Sequence, residues 1–222
     1  MASVDFEQQF HRINRVFYPF YFAFNLACVL YYSARWDAYH FGIALGTLII
    51  PALPELFYRL FRLRRVEQLS FCVLAFSFLG YTLGAVVDLY QRVPGFDKLV
   101  HTLSGAFVSM LCLCVYCAAR PGKKPEADER LLAGLFVFLG SMAVAGLWEI
   151  CEYAVHAITG RDVQRVLLTG VDDTMQDMIV CMIGTLAYLP AIVRLGHGRS
   201  NVFTGPAEAF AAKNLPGEGL KA

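Results

Sequence analysis

Stretches of roughly twenty mostly apolar residues recur along the chain, and about twenty helical residues are what it takes to cross some 30 Å of hydrocarbon. No water reaches that depth, so each crossing segment must satisfy its own backbone groups, which a helix does. The runs lie approximately at 16–34, 39–58, 69–90, 98–118, 131–157 and 175–195. The sequence therefore predicts an all-α, polytopic transmembrane helix bundle with about six spans. Residues 1–15 form an N-terminal segment, 16–195 the transmembrane helical domain, and 196–222 a Gly/Ala/Pro-rich tail expected to be flexible. Pro51 and Pro54 fall inside the second span, where a kink is tolerated if neighbouring helices re-satisfy the freed backbone groups.

Composition agrees. The chain is 57% hydrophobic and 17% charged, against about 45–50% and 25% in soluble domains. A net charge of +1 without a basic, aromatic-interleaved stripe argues against a nucleic-acid partner. The seven cysteines all fall within apolar runs, where cysteine behaves as a small hydrophobe. The N-terminus shows no cleavage-type signal, so the first span is expected to be retained.

Lysine and arginine set the expected orientation. The N-terminus, the second and fourth loops and the tail together carry fourteen of the nineteen basic residues. That side is expected to be cytoplasmic, which places both termini inside.

Given this orientation, the acids form a pattern. Asp97 and His101 open the fourth span, Glu149 and Glu152 lie late in the fifth, and Asp173 and Asp177 open the sixth. Alternating direction brings all of them to the outer face. Residues three or four apart share a helix face, so each helix presents a polar edge, and His156 continues the stripe of Glu149 and Glu152. Crowded carboxylates in a medium of low dielectric need protons or a cation among them. Oxygen-rich sites suit Mg²⁺, Ca²⁺ or Mn²⁺, and imidazole admits Zn²⁺ or Fe²⁺. Glu149, Glu152, Asp173 and Asp177 are the expected ligands of a divalent metal, with His101 as ligand or general base oriented by Asp97. Arg161 and Arg165, in the adjoining loop, suit a phosphate clamp.

Plainer roles stand beside these. Asp97 and Asp173 also suit first-turn acids favoured by the helix dipole, Lys98 a snorkelling residue, and Asp88 an ion pair with Arg92. Arg161 and Arg165 also suit solvated loop positions.

"FDKLVH", "LWEICEY" and "DTMQDM" followed by Gly184 resemble the YjdF-type family of bacterial inner-membrane proteins. More distantly the arrangement is similar to the VanZ-like family, in which Asp-Lys-x-x-His is followed by Glu-x-x-Gln and Asp-x-x-x-Asn. The resemblance spans roughly residues 80 to 190 and implies a multi-pass protein of the bacterial inner membrane. It groups Asp97, His101, Glu149, Glu152, Asp173 and Asp177 into one site but supplies no reaction. Glu152 in place of Gln and Asp177 in place of Asn make this site the more acidic one, which weakens transfer of the glycopeptide-resistance association.

Three functions are compatible with these residues. A metal site at the outer leaflet would act on a membrane lipid or lipid-linked phosphate, as a hydrolase or transferase of the head group. A proton- or cation-coupled transporter would use the same acids as a relay. A non-enzymatic scaffold would use them to specify helix packing.

Overall fold

The computed structural model describes residues 2–120, 125–162, 164, 166–199 and 201–215, and among these it is all-helical. Five helices are long and apolar enough to cross a membrane, and a sixth crossing arises if a bent helix pair is one broken span. The chain divides into two units, residues 1–96 with 205–222, and residues 97–204.

The first unit opens with α1 (Ala2–Ala34). Phe10, Phe17, Phe20 and Phe24 recur at helical spacing along one side of α1. They meet Phe71 and Phe78, seven residues apart on the following long helix, at ring-centroid distances of 5.3–6.0 Å. Such contacts contribute about 0.5–1.5 kcal/mol per aromatic pair. Asp37 caps α2 (Ala38–Thr47), accepting the His40 backbone N–H at 3.1 Å. After a break of four residues, α3 (Ala52–Leu60) continues at a bend of 43°. The break ends on Pro51, whose ring removes a backbone donor and crowds the carbonyl four residues back, at the last residue of α2.

α4 (Glu67–Ser77) relaxes into a π-helical segment at Phe78–Val86. Its N-terminus has no local side-chain cap. Glu7 of α1 supplies one from a distance, accepting the backbone N–H groups of Glu67 and Gln68 at 3.1 and 3.4 Å. The short α5 (Leu89–Arg92) follows, and Asp88 pairs with Arg92 at 3.6 Å.

Part of the tail, expected to be flexible, is helical. Gly205–Asn214 forms a helix, called α10 below, that packs within the first unit with Ala207, Ala209 and Ala211 buried. Small residues let it approach closely, Gly205 lying against Gln68. Lys213 pairs with Glu7 and donates to the Arg65 carbonyl at 2.9 Å, while Asn214 donates to the Arg64 carbonyl at 3.0 Å.

The second unit contains α6 (Phe96–Ala119), α7 (Arg130–Thr159), the short α8 (Val166–Thr169) and α9 (Asp172–Gly196). α6 and α9 cross backbone to backbone. A side chain on Gly105 would strike the Cys181 carbonyl, and one on Gly184 the Thr102 carbonyl. Small residues at such crossings are the usual route to close association where the hydrophobic effect gives no drive. Beside the crossing, the hydroxyls of Ser141 of α7 and Thr185 of α9 share a hydrogen bond at 2.8 Å and lie 3.3 and 3.4 Å from the Gly105 carbonyl. α7 ends at Gly160, whose φ of +72° is a left-handed cap that glycine adopts without strain.

Candidate functional site

The first turns of α6 and α9 lie together at one end of the second unit. Asp97, Lys98 and His101 sit on α6, and Asp173 and Asp177 on α9. The Lys98 ammonium bridges the two helices, donating to Asp173 Oδ1 at 2.7 Å and Asp177 Oδ1 at 2.8 Å, with Asp97 Oδ2 at 3.4 Å. His101 Nε2 lies 3.6 Å from Asp97 Oδ1 and 3.8 Å from Asp177 Oδ1. The Asp177 side chain is only 4% exposed and that of His101 14%. Close packing at Gly105 and Gly184, about two turns deeper, is what brings these two polar edges within reach.

α7 joins through a loop residue. Gln164, buried, donates to the Glu149 carbonyl at 3.0 Å and lies 3.4 Å from Glu149 Oε2 and 3.3 Å from Thr174 Oγ1 of α9. Glu149 is buried, as are Asp173 and Asp177. Glu152, one turn further on, accepts a hydrogen bond from the exposed Trp148 indole at 2.8 Å.

The expected ligands thus divide. Among the described residues, Asp97, His101 and Asp177 offer three ligand atoms within 4.8 Å of one another. Asp173 is tied to them through Lys98, and Glu149 is tied to α9 through Gln164 and Thr174. His156, expected to extend the acidic stripe, instead donates from Nδ1 to the Arg161 carbonyl at 3.0 Å and faces Asp162 at 3.8 Å. Arg161 is exposed in the loop after α7, and Arg165 lies outside the described residues.

Two participants escape a reading of the sequence. Lys98 suits a snorkelling role, yet its ammonium turns inward between two aspartates. Its spacing of three from His101 is the available signal, since it places both on one helix edge. Gln164 carries no local signal, being one polar residue in a polar loop.

Chemically, two carboxylate oxygens and an imidazole nitrogen are a donor set that fits Mg²⁺, Mn²⁺, Zn²⁺ or Fe²⁺. Lys98 already holds Asp177 Oδ1, so an ion at this position would share that oxygen with the ammonium. Three carboxyl groups, Asp97, Asp173 and Asp177, meet one ammonium and one imidazole here, and acids crowded in a medium of low dielectric need a proton or a cation among them.

A protein of Thermotoga maritima, named "Uncharacterized protein", is 28% identical over 123 residues. The aligned part is 55% of this chain and 60% of that relative's length. No solved structure matches the chain. The family described as "Predicted membrane protein (DUF2238)" matches residues 17–197. The YjdF-type resemblance is consistent with that match, whereas the VanZ-like likeness finds no support in it. With the match extending over all six apolar runs and every described acid of the site, the chain belongs to this family of membrane proteins.

Proposed function

We propose that this membrane protein holds a divalent cation at the α6–α9 end of its second unit and uses it on a phosphate-bearing lipid or lipid-linked substrate of the bacterial cell envelope. The observation that carries the reading is the convergence of Asp97, His101 and Asp177, from two helices, to ligand-atom separations within 4.8 Å. Asp173, joined to the set through Lys98, and Glu149 and Glu152 of α7 are further carboxyl groups of the same unit that could contribute ligands. When bound, such an ion would polarise a phosphoryl oxygen or activate water. His101, whose Nε2 lies 3.6 Å from Asp97 Oδ1, would serve as a ligand or, in place of that role, as a general base. The loop residues Arg161 and Arg165 would supply positive charge toward a phosphate, and the exposed Trp148, Ile150 and Tyr153 suit contact with lipid chains. Elemental analysis of detergent-purified protein tests the reading. Metal should be retained by the native chain and lost in Asp177→Asn and His101→Ala, and unchanged metal content in both variants would overturn it.

A second reading, proton- or cation-coupled transport, is favoured by one observation. Polar side chains continue beyond the acids into the buried part of the unit, with Ser104 near Cys181 and Ser141 bonded to Thr185. Flux into liposomes that depends on Glu152 would place transport first.

A further inference from the structure

The first unit carries a polar cleft of its own, weighted toward cations rather than acids. Near the start of α1, Gln8, His11, Arg12 and Arg15 recur at i, i+3, i+4 and i+7 and so share one helix face. That face opens onto a cleft of about 400 Å³, completed by Glu7 of α1, Glu67 at the start of α4 and Lys213 of α10. The volume is of the order that small-molecule sites occupy. Every lining residue belongs to the first unit.

The two acids of the lining are engaged within the protein. Glu7 accepts two backbone N–H groups at the start of α4 and pairs with Lys213. Glu67 accepts from Asn14 Nδ2 at 2.7 Å and lies 3.3 Å from His11 Nδ1 and 3.4 Å from Arg65 Nε. Among the described residues no carboxylate pairs with Arg12 or Arg15, and both residues are exposed. The cleft therefore presents two guanidinium groups to whatever enters it, a donor set suited to bidentate recognition of phosphate or carboxylate. Position favours a phosphate carried by a lipid. Arg15 immediately precedes the apolar run that begins at Val16, the level at which a span meets the headgroups. Val16 and Phe20 are exposed, and they follow Arg12 at i+4 and i+8 along the same helix edge. An apolar edge thus leads from the guanidinium groups toward the hydrocarbon, where acyl chains lie. A soluble anion would leave that edge unused.

We propose that this cleft binds the phosphate of an anionic phospholipid, gripped by Arg12 and Arg15, with the acyl chains lying along Val16 and Phe20. Basic groups beside a membrane span attract anionic headgroups in this way. Lys213 closes the cleft from α10, so a bound lipid would also fasten the tail helix to α1 and α4. The site is formed by the first unit alone and does not depend on the role of the acids in the second.

The test is titration of the full chain in detergent with phosphatidylglycerol, followed by mass spectrometry of the intact lipid complex and by the midpoint of thermal unfolding. Phosphatidylcholine, which has no net charge, and inorganic phosphate are titrated in parallel. Phosphatidylglycerol should raise the midpoint saturably and phosphatidylcholine should not. Arg12→Gln combined with Arg15→Gln should weaken phosphatidylglycerol binding by about tenfold or more, the loss expected for charge-assisted hydrogen bonds. Arg62→Gln combined with Arg64→Gln removes the same charge from exposed positions outside the cleft and should bind as the native chain does, as should Asp177→Asn. Equal stabilisation of the native chain by the two lipids would overturn the proposal, whether or not any variant folds. So would an equal loss of binding in the two arginine pairs, which would reduce the effect to diffuse attraction. Stabilisation by inorganic phosphate with none by phosphatidylglycerol would overturn the lipid assignment.

Discussion

Lys98 Nζ stands 2.8 Å from Asp177 Oδ1, the same oxygen that lies 3.8 Å from His101 Nε2. One carboxylate oxygen thus faces both a fixed cation carried by the chain and the imidazole of the candidate metal set. Lys98 keeps the buried acids of α9 compensated, and it also limits how much charge a visiting ion can find there.

Removing that ammonium should therefore destabilise the protein. Lys98→Met leaves Asp173 and Asp177 without their common partner, and breaking a buried pair from one side costs about 3–5 kcal/mol at full burial. A double-mutant cycle with Asp177→Asn should return a coupling energy of about 1–3 kcal/mol, read from unfolding midpoints in detergent. Additive effects would show that the contact contributes nothing.

Chelation should have a measurable thermal signature if the acidic site holds a metal. A ligand present at a hundred times its dissociation constant stabilises by about 2.7 kcal/mol. Treating the purified protein with EDTA should lower its melting midpoint, and adding back a divalent salt should restore it. His101→Ala should melt at the same temperature with and without EDTA.

At the crossing of α6 and α9, Gly105→Leu should separate the helices, since even a Cβ at this position meets the Cys181 carbonyl. Overpacking of this kind costs about 1–3 kcal/mol. Metal retention should fall along with stability, although the substitution lies away from the acids. Retention at the native level with a normal melting midpoint would contradict the close crossing.

Asp37 gives a pH-dependent outcome outside the spans. The His40 backbone N–H and then its ring hold this carboxyl below the usual aspartate range. A carboxylate with a depressed folded-state pKa contributes stability above its unfolded value and loses it as pH falls through the folded one. The stability difference between native chain and Asp37→Ala should be constant near neutrality and should shrink in acid, below about pH 4. A difference that grows on acidification would reverse the assignment.

The crossings were legible in the sequence because hydropathy is a local property, and the runs near 98–118, 131–157 and 175–195 differ by a few residues from α6, α7 and α9. Pro51 and Pro54 marked the interruption of the second span for an equally local reason. The grouping of Asp97, His101, Asp173 and Asp177 followed from alternating helix direction. Lys98 was harder: where a long side chain at a helix edge points depends on how the facing helix crosses, which Gly105 and Gly184 decide across 79 residues of chain. Gln164 and α10 were illegible for a related reason. Their partners, Glu149 in one case and Glu7 and Arg65 in the other, are fixed by tertiary packing and leave no periodic trace.

The contact at Gly105 and Gly184 has a mechanical corollary. Two rods packed closest over one short stretch can scissor about it more easily than they can part. Asp177 stands about 10 Å from Gly184 along α9, and the far end of that helix at Gly196 about 18 Å on the opposite side. Anything that spreads or draws in the carboxylates by 1 Å would therefore swing the opposite end by nearly twice as much in the other sense. The glycine crossing is a fulcrum with unequal arms, and the acids sit on the short one.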